Sequence, residues 1–277
     1  MNKSYETNGK QLSFEKAQVM AIINLTPDSF YDGGKFSSLT DVIKDAEMKI
    51  SEGATIIDIG AASSRPNAVS ISAQDEIVRL KEPLIALRRE FPHIIISIDT
   101  YLSNVADVVI DLGADMINDI SGGEMDKDML PLVAKHKIAY VLMHMQGTPQ
   151  TMQVNPNYNN VVLDVLSFFE KKIEFCKGLG LDKLILDVGF GFGKTTEHNF
   201  QLLKQLNDFA ILDFPLLAGL SRKSMINKII NSSAVTSLNG TTVLNTIALQ
   251  NGATILRVHD VKEAKQTIDL FEYYKGI

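Results

Sequence analysis

Short runs of β-branched and other apolar residues recur along the chain, separated by longer segments in which apolar residues return every three or four positions. Eight runs stand out: Val19–Ile23, Thr55–Ile59, Ile94–Ile98, Met116–Ile117, Ala139–Met143, Lys183–Leu186, Pro215–Ala218 and Thr254–Val258. Most are continuous rather than alternating, as expected of strands covered on both faces. The segments between them read as helices. In Thr40–Gly53, Val42, Ile43, Ala46 and Ile50 share a face and a glycine closes the run. Val161–Gly178 places Val162, Val165, Phe169, Ile173 and Cys176 together, and Val261–Tyr274 repeats the pattern. This grammar predicts repeated βα units and a parallel sheet. Near the start, Asn8-Gly9 lies between two short polar-apolar runs from Tyr5 to Phe14, a hairpin signal. A hairpin there would plug the bottom of a barrel.

Eight βα units in 277 residues match the ~250 residues of a (β/α)8 barrel. No Pro/Ser-rich linker or composition shift divides the chain, so residues 1–277 are expected to form a single domain. The expected class is therefore α/β: one (β/α)8 TIM barrel with an N-terminal β-hairpin. A hydrophobic fraction of 45% with 22% charged residues excludes disorder, collagen and coiled coil. No run approaches the ~18 uncharged apolar residues of a membrane span, and no apolar run follows the first positive charge, so a cytoplasmic protein is expected. A formal charge of −6 argues against nucleic acid and anionic membranes as partners and favours small-molecule substrates. The lone Cys176 sits on the apolar face of its helix and reads as core.

In a parallel α/β barrel the site is built where the βα loops converge, at the carboxyl ends of the strands. After the eight runs come Asn24; Gly60 with Ser63-Ser64-Arg65; Asp99; Asn118-Asp119; His144; Asp187; Ser221-Arg222-Lys223; and Arg257 with His259. Any one of these is as readily a helix cap. Eight together point to one ligand. Asp99, Asn118 and Asp187 suit the donor-rich edge of a polar heterocycle, whereas Arg65, Lys223, Arg257 and His259 suit phosphoryl oxygens. The long loops from Asn24 to Gly34 and from Gly60 to Ser72 have the composition of lids.

Asp187-Val-Gly-Phe-Gly-Phe-Gly193-Lys194 is neither a P-loop nor a dinucleotide fingerprint, because its glycines alternate strictly. Such a run permits unusual dihedrals or close backbone approach, with Phe190 and Phe192 as faces for stacking or as core rings. The five histidines show no metal spacing, so zinc is not expected. His144, among apolar neighbours, reads equally as a core histidine. Ser221 is not in a nucleophile elbow, so no covalent intermediate is expected.

Ile23-Asn-Leu-Thr-Pro-Asp-Ser-Phe30, Ser64-Arg-Pro66, Ile98-Asp-Thr100, Ile117-Asn-Asp119, Met143-His-Met-Gln-Gly147, Gly189-Phe-Gly-Phe-Gly-Lys194, Ser221-Arg-Lys-Ser224 and Arg257-Val-His-Asp260 resemble the dihydropteroate synthase family, in order and over nearly the whole chain. The resemblance implies a usually dimeric TIM barrel of folate synthesis that joins 4-aminobenzoate to dihydropterin-6-ylmethyl diphosphate. It implies that Asp99, Asn118, Asp187 and Lys223 hold the pterin, that Arg65, Arg257 and His259 grip the diphosphate, and that Asn24 is a ligand to Mg²⁺. Phe30, Ser64, Pro66 and Phe192 then form the aminobenzoate slot, flanked by Ser221 and Arg222. Asp99, Lys223 and Arg65 carry the chemistry. Ala62-Ser-Ser-Arg-Pro-Asn67 stands where the family has Glu-Ser-Thr-Arg-Pro-Gly, and Val188 where it has proline. Ser64 keeps the hydroxyl and loses a methyl, so a roomier slot for substrate and sulfonamides is expected. A pterin-dependent methyltransferase of the same barrel group, or a barrel that binds without turnover, are the rival readings; the retained diphosphate residues argue against both.

Overall fold

The structure is a computed structural model that describes residues 4–25, 38–62 and 71–277. Strands β1 (Ser4–Thr7) and β2 (Lys10–Ser13) form the expected antiparallel hairpin about Asn8-Gly9. Both turn residues have positive φ, as a tight two-residue turn of this hand requires. The eight runs become β3 (Gln18–Asn24), β4 (Ile56–Gly60), β5 (Ile95–Asp99), β6 (Met116–Asp119), β7 (Ala139–Met143), β8 (Leu184–Asp187), β9 (Leu216–Ala218) and β10 (Ile255–Val258). All pair in parallel, and β10 closes on β3 to complete a barrel. Five strands run on past the apolar run into the residues that follow it (Asn24, Gly60, Asp99, Asn118-Asp119 and Asp187). The hydrogen-bonded ladder, not the hydrophobic pattern, sets where a strand stops.

The helices described are α1 (Leu39–Ser51), α2 (Ala73–Glu90), α3 (Ser103–Asp111), α4 (Met129–His136), α5 (Val161–Gly178), α6 (Thr196–Lys204), α7 (Ser224–Ile230), α8 (Leu238–Gln250) and α9 (Val261–Lys275). All five apolar residues expected on one face of α5 are buried, and Asn160 caps its first turn by accepting from Val162 and Leu163 N–H. Cys176 lies in the core, where burial pushes its thiol up to about 11. In α1 the buried face is shifted: Val42 and Ala46 are buried, but Asp45 and Lys49 join them, paired at 3.0 Å, while Ile43 and Ile50 are only partly covered. No helix among the described residues is long and apolar enough to cross a membrane.

Period-two alternation sorts the strand residues into two cores. Outward residues such as Ile57, Ile98, Leu142 and Leu186 pack under the helices. Inward residues Met20, Ile56, Ile95, Met116, Val141, Ile185, Leu217 and Ile255, one from each strand, together with Ala139 at the start of β7, fill the lower barrel and meet Tyr5, Leu12 and Phe14 of the hairpin segment. The hairpin is the expected plug. It is pinned by the Tyr5 hydroxyl, which donates to the Leu184 carbonyl at 2.8 Å, and by Thr7 Oγ1, which donates to the Asp115 carbonyl and accepts from Ala139 N–H at 3.0 Å. Asp115 is itself fully buried between Lys10 and Arg88.

Leu12→Ala opens a cavity against this plug and is expected to cost about 2–5 kcal/mol in denaturant unfolding, against at most ~0.5 kcal/mol for the exposed Leu270→Ala. A Leu12→Ala loss no larger than that of Leu270→Ala would show that the hairpin does not seal the barrel.

Candidate active site

Two residues beyond the apolar layer the inward positions change character. In place of Ile56, Ile95, Met116, Ile185 and Ile255 stand Asp58, Ser97, Asn118, Asp187 and Arg257, with Ile22, Met143 and Gly219 completing the ring. One step higher on β3 to β5 are Asn24, Gly60 and Asp99, in register with one another. The barrel is dry below and charged above, and the charged half opens at the carboxyl ends of the strands.

Arg257 organises this half. Its Nε donates to Asp58 Oδ2 and its Nη2 to Asp99 Oδ2, each at 2.7 Å. Burial works against the guanidinium, but the two carboxylates outweigh it and hold it protonated. Asn118 Nδ2 donates to the same Asp58 oxygen at 3.1 Å. Burial pushes Asp99 up to about 7; Arg257 opposes the shift, and Asp58, Glu76 and Asp119 add to it. Across the mouth, burial likewise raises Asp187, opposed by Lys223, by the Gly189 N–H that donates to its Oδ1 at 2.8 Å, and by Arg257. Burial depresses Lys223 to about 8 against the pull of Asp187. Its ammonium bonds the Phe190 carbonyl and lies 4.8 Å from the centre of the Phe192 ring. Asp187, Lys223 and Arg257 thus share one space, in which each cation is set against carboxylates.

The loop after β8 is held by its glycines. Gly189, Gly191 and Gly193 all have positive φ; a Cβ at Gly189 would lie 2.0 Å from the His144 carbonyl oxygen, and one at Gly193 2.5 Å from that of Gln146. That close approach seats Lys194 in a buried nest, where its amine contacts His144 Nδ1 (3.0 Å) and the carbonyls of His144, Gly189 and Phe192. Burial lowers Lys194 to about 7. Burial, with Lys194 beside it, also keeps His144 neutral, and Phe168 packs edge-on against its ring. His144 is therefore a core histidine. Phe190 is fully buried in the outer core, so of the two rings offered for stacking only Phe192 borders the site. Val188, where the family has proline, is also core.

The sequence pairs Asn118 with Asp119, but alternation separates them. Asn118 turns inward, whereas Asp119 accepts from the Tyr140 hydroxyl at 2.6 Å and from Ser121 and Gly123 N–H, bracing its own loop. Arg222, with φ of 57°, forms a two-pronged pair with Asp260 at 2.7 and 2.8 Å and donates to the Ala234 and Val235 carbonyls. Rather than simply lining a slot, it fixes the backbone that carries Ser221 and Lys223. Ser221 Oγ accepts from His259 N–H at 3.2 Å, which ties the loop after β9 to the end of β10. Arg257, expected on a diphosphate, sits between two carboxylates at the floor. Phe30, Ser64, Arg65 and Pro66 lie outside the described residues.

Sequence reasoning missed Asp58 and Lys194. A signal existed for Asp58: a charge inside an apolar run that both faces bury requires a partner.

Residues 20–259 match the family model described as pterin binding enzyme. The chain is 43% identical to dihydropteroate synthase of Haemophilus influenzae, covering 96% of each, and 41% identical to that of Escherichia coli K12, covering 95% of this chain and 94% of the other. Among solved structures it is similar to Yersinia pestis dihydropteroate synthase in complex with a sulfonamide drug, with TM-score 0.95 and 39% identity over 99% of this chain and all of that one. Xanthomonas albilineans dihydropteroate synthase with 4-aminobenzoic acid gives TM-score 0.92 at 32% identity over the whole of both chains. With a site of acids, amide and cations at the mouth of a plugged barrel, and likeness of this extent from end to end, the chain belongs to the dihydropteroate synthases of the pterin-binding enzyme family.

Proposed function

We propose that the chain joins 4-aminobenzoate to (7,8-dihydropterin-6-yl)methyl diphosphate, releasing pyrophosphate and 7,8-dihydropteroate, by an SN1-like transfer. The observation that supports it best is the meeting of Asp99, Asn118, Asp187, Lys223 and Arg257 from separate strand ends in one half-buried, polar mouth. A ring rich in N–H donors suits Asp99, Asp187 and the Asn118 amide; a ring carbonyl suits Lys223. His259 at the rim and Arg257 below serve the diphosphate, together with Arg65. Phe192 and Ser221, with Phe30, Ser64 and Pro66, serve the arylamine, and Arg222 holds Ser221 in place.

The bond from the exocyclic methylene carbon to the diphosphate oxygen breaks, and its electron pair leaves with pyrophosphate. Asp99 stabilises the positive charge that develops on the pterin, while Lys223, Arg65 and Arg257 stabilise the departing anion. The aniline lone pair then forms the carbon–nitrogen bond, and its proton passes to water. A free arylamine needs no strong base, so placing the two substrates together supplies much of the acceleration, up to ~7–11 kcal/mol in the best intramolecular cases.

Among the described residues no cluster of three or more His, Cys, Asp or Glu could cage a metal. The Asn24 amide oxygen at the end of β3, close by Gly60, fits Mg²⁺ of another kind, one that keeps most of its water and is shared with a substrate's phosphates. Bound there, Mg²⁺ would neutralise diphosphate charge. The same reading takes the protein as a cytoplasmic homodimer, with the exposed Ile229, Val243 and Leu270 on α7 to α9 available to a second copy.

Purified protein given both substrates and Mg²⁺ is expected to release dihydropteroate and pyrophosphate in equal amounts, and to stop with chelator; pyrophosphate release indifferent to chelator would remove Asn24 from the metal. Asp99→Asn is expected to lower kcat by about 10²-fold with the fold intact, and unchanged turnover would end its role. Because Lys223 loses its proton near pH 8, kcat/KM is expected to fall as pH rises through that value. Lys223→Arg stays charged and should keep its own, lower kcat/KM flat to pH 10; an identical alkaline fall in both proteins would assign it to another group.

A further inference from the structure

Asp58 is fully buried at the middle of β4, in the same inward ring as Asn118, Asp187 and Arg257, and carries none of the roles assigned to those residues. One of its oxygens, Oδ2, is nonetheless the shared acceptor for Arg257 Nε at 2.7 Å and Asn118 Nδ2 at 3.1 Å. The other, Oδ1, is buried with no hydrogen-bond partner among the described residues, and so is Ser97 Oγ, in register with it on the neighbouring strand. A buried carboxylate with one oxygen unsatisfied is a poor device for stability alone, since an apolar residue of similar volume would avoid the desolvation cost.

What the carboxylate does achieve is orientation. An ionised carboxylate only accepts, so the Asn118 amide must turn its nitrogen toward Asp58; flipped, it would set two oxygens against each other. The Asn118 oxygen and its second N–H are thereby each left with one direction. For Arg257, fixing Nε on Asp58 and Nη2 on Asp99 sets the plane of the guanidinium and leaves Nη1 without a partner among the described residues. One buried oxygen thus sets two of the groups that meet the pterin and its diphosphate, and none of those assigned to the arylamine.

We propose that Asp58 is a positioning residue of the transfer, which orients the Asn118 amide and the Arg257 guanidinium and so sets affinity for the pterin diphosphate but not for the arylamine. This rests on the function proposed above. Asp58→Asn keeps the volume and removes the charge. It is expected to raise KM for the pterin diphosphate by about tenfold or more, with KM for 4-aminobenzoate within about twofold of the unaltered protein. The combined Asp58→Asn/Asn118→Ala protein is expected to lose less than the product of the two single losses, because Asp58 acts partly through that amide. Circular dichroism and melting establish that each variant is folded. If Asp58→Asn does not fold, Asp58→Glu, which keeps the charge opposite Arg257 but displaces its oxygens, is expected to show the same selective rise. No product from the unaltered protein would refute the proposed function. With the unaltered protein active, the positioning role is overturned by an unchanged KM for the pterin diphosphate, by equal rises in both KM values, by a loss in kcat alone, by fully multiplicative losses, or by failure of both variants to fold.

Discussion

A guanidinium buried between two carboxylates is the constraint on which the upper half of this barrel depends. Arg257 spans Asp58 and Asp99, from strands far apart in sequence that only barrel closure brings together. Removing one member of such a group typically costs about 3–5 kcal/mol, because a charge is left buried without its partner, whereas replacing the whole group by apolar residues is often neutral or stabilising. Such a network is therefore weak support for the fold. Its value lies in presenting fixed charges to a ligand without reorganisation.

Stability is supplied below that level. The inward apolar residues, sealed by Tyr5, Leu12 and Phe14, and the larger core between strands and helices leave the upper ring free of packing duties. On five of the eight strands the change occurs within a single inward step. The two halves therefore tolerate change differently: in the lower half volume matters, in the upper half charge and hydrogen-bond direction.

The loops after β8 and β9 show the same division. Lys194 is a cation by type, but burial depresses it and its nest of carbonyls uses it as a brace, drawing the Gly189–Gly193 segment against His144. Lys223, in the neighbouring loop, is depressed less and lies beside Asp187. Arg222 and Lys223, adjacent in sequence, divide in this way too: the first is bound to Asp260 and two carbonyls, the second presented to the site.

The sequence by itself determined the eight strands, the full extent of α5, the hairpin with its turn, and the polar residue at nearly every strand end. These depend on local periodicity and turn chemistry, which neighbouring residues carry. Tertiary structure alone decided that Asn118 faces in while Asp119 faces out, that Phe190 is core while Phe192 borders the site, that His144 is neutral, and that Arg257 lies on Asp58. Each outcome depends on strand register and closure, which bring together side chains as much as 199 residues apart. A run of apolar letters states that a residue is buried; only its partner across the barrel states what a buried charge is for.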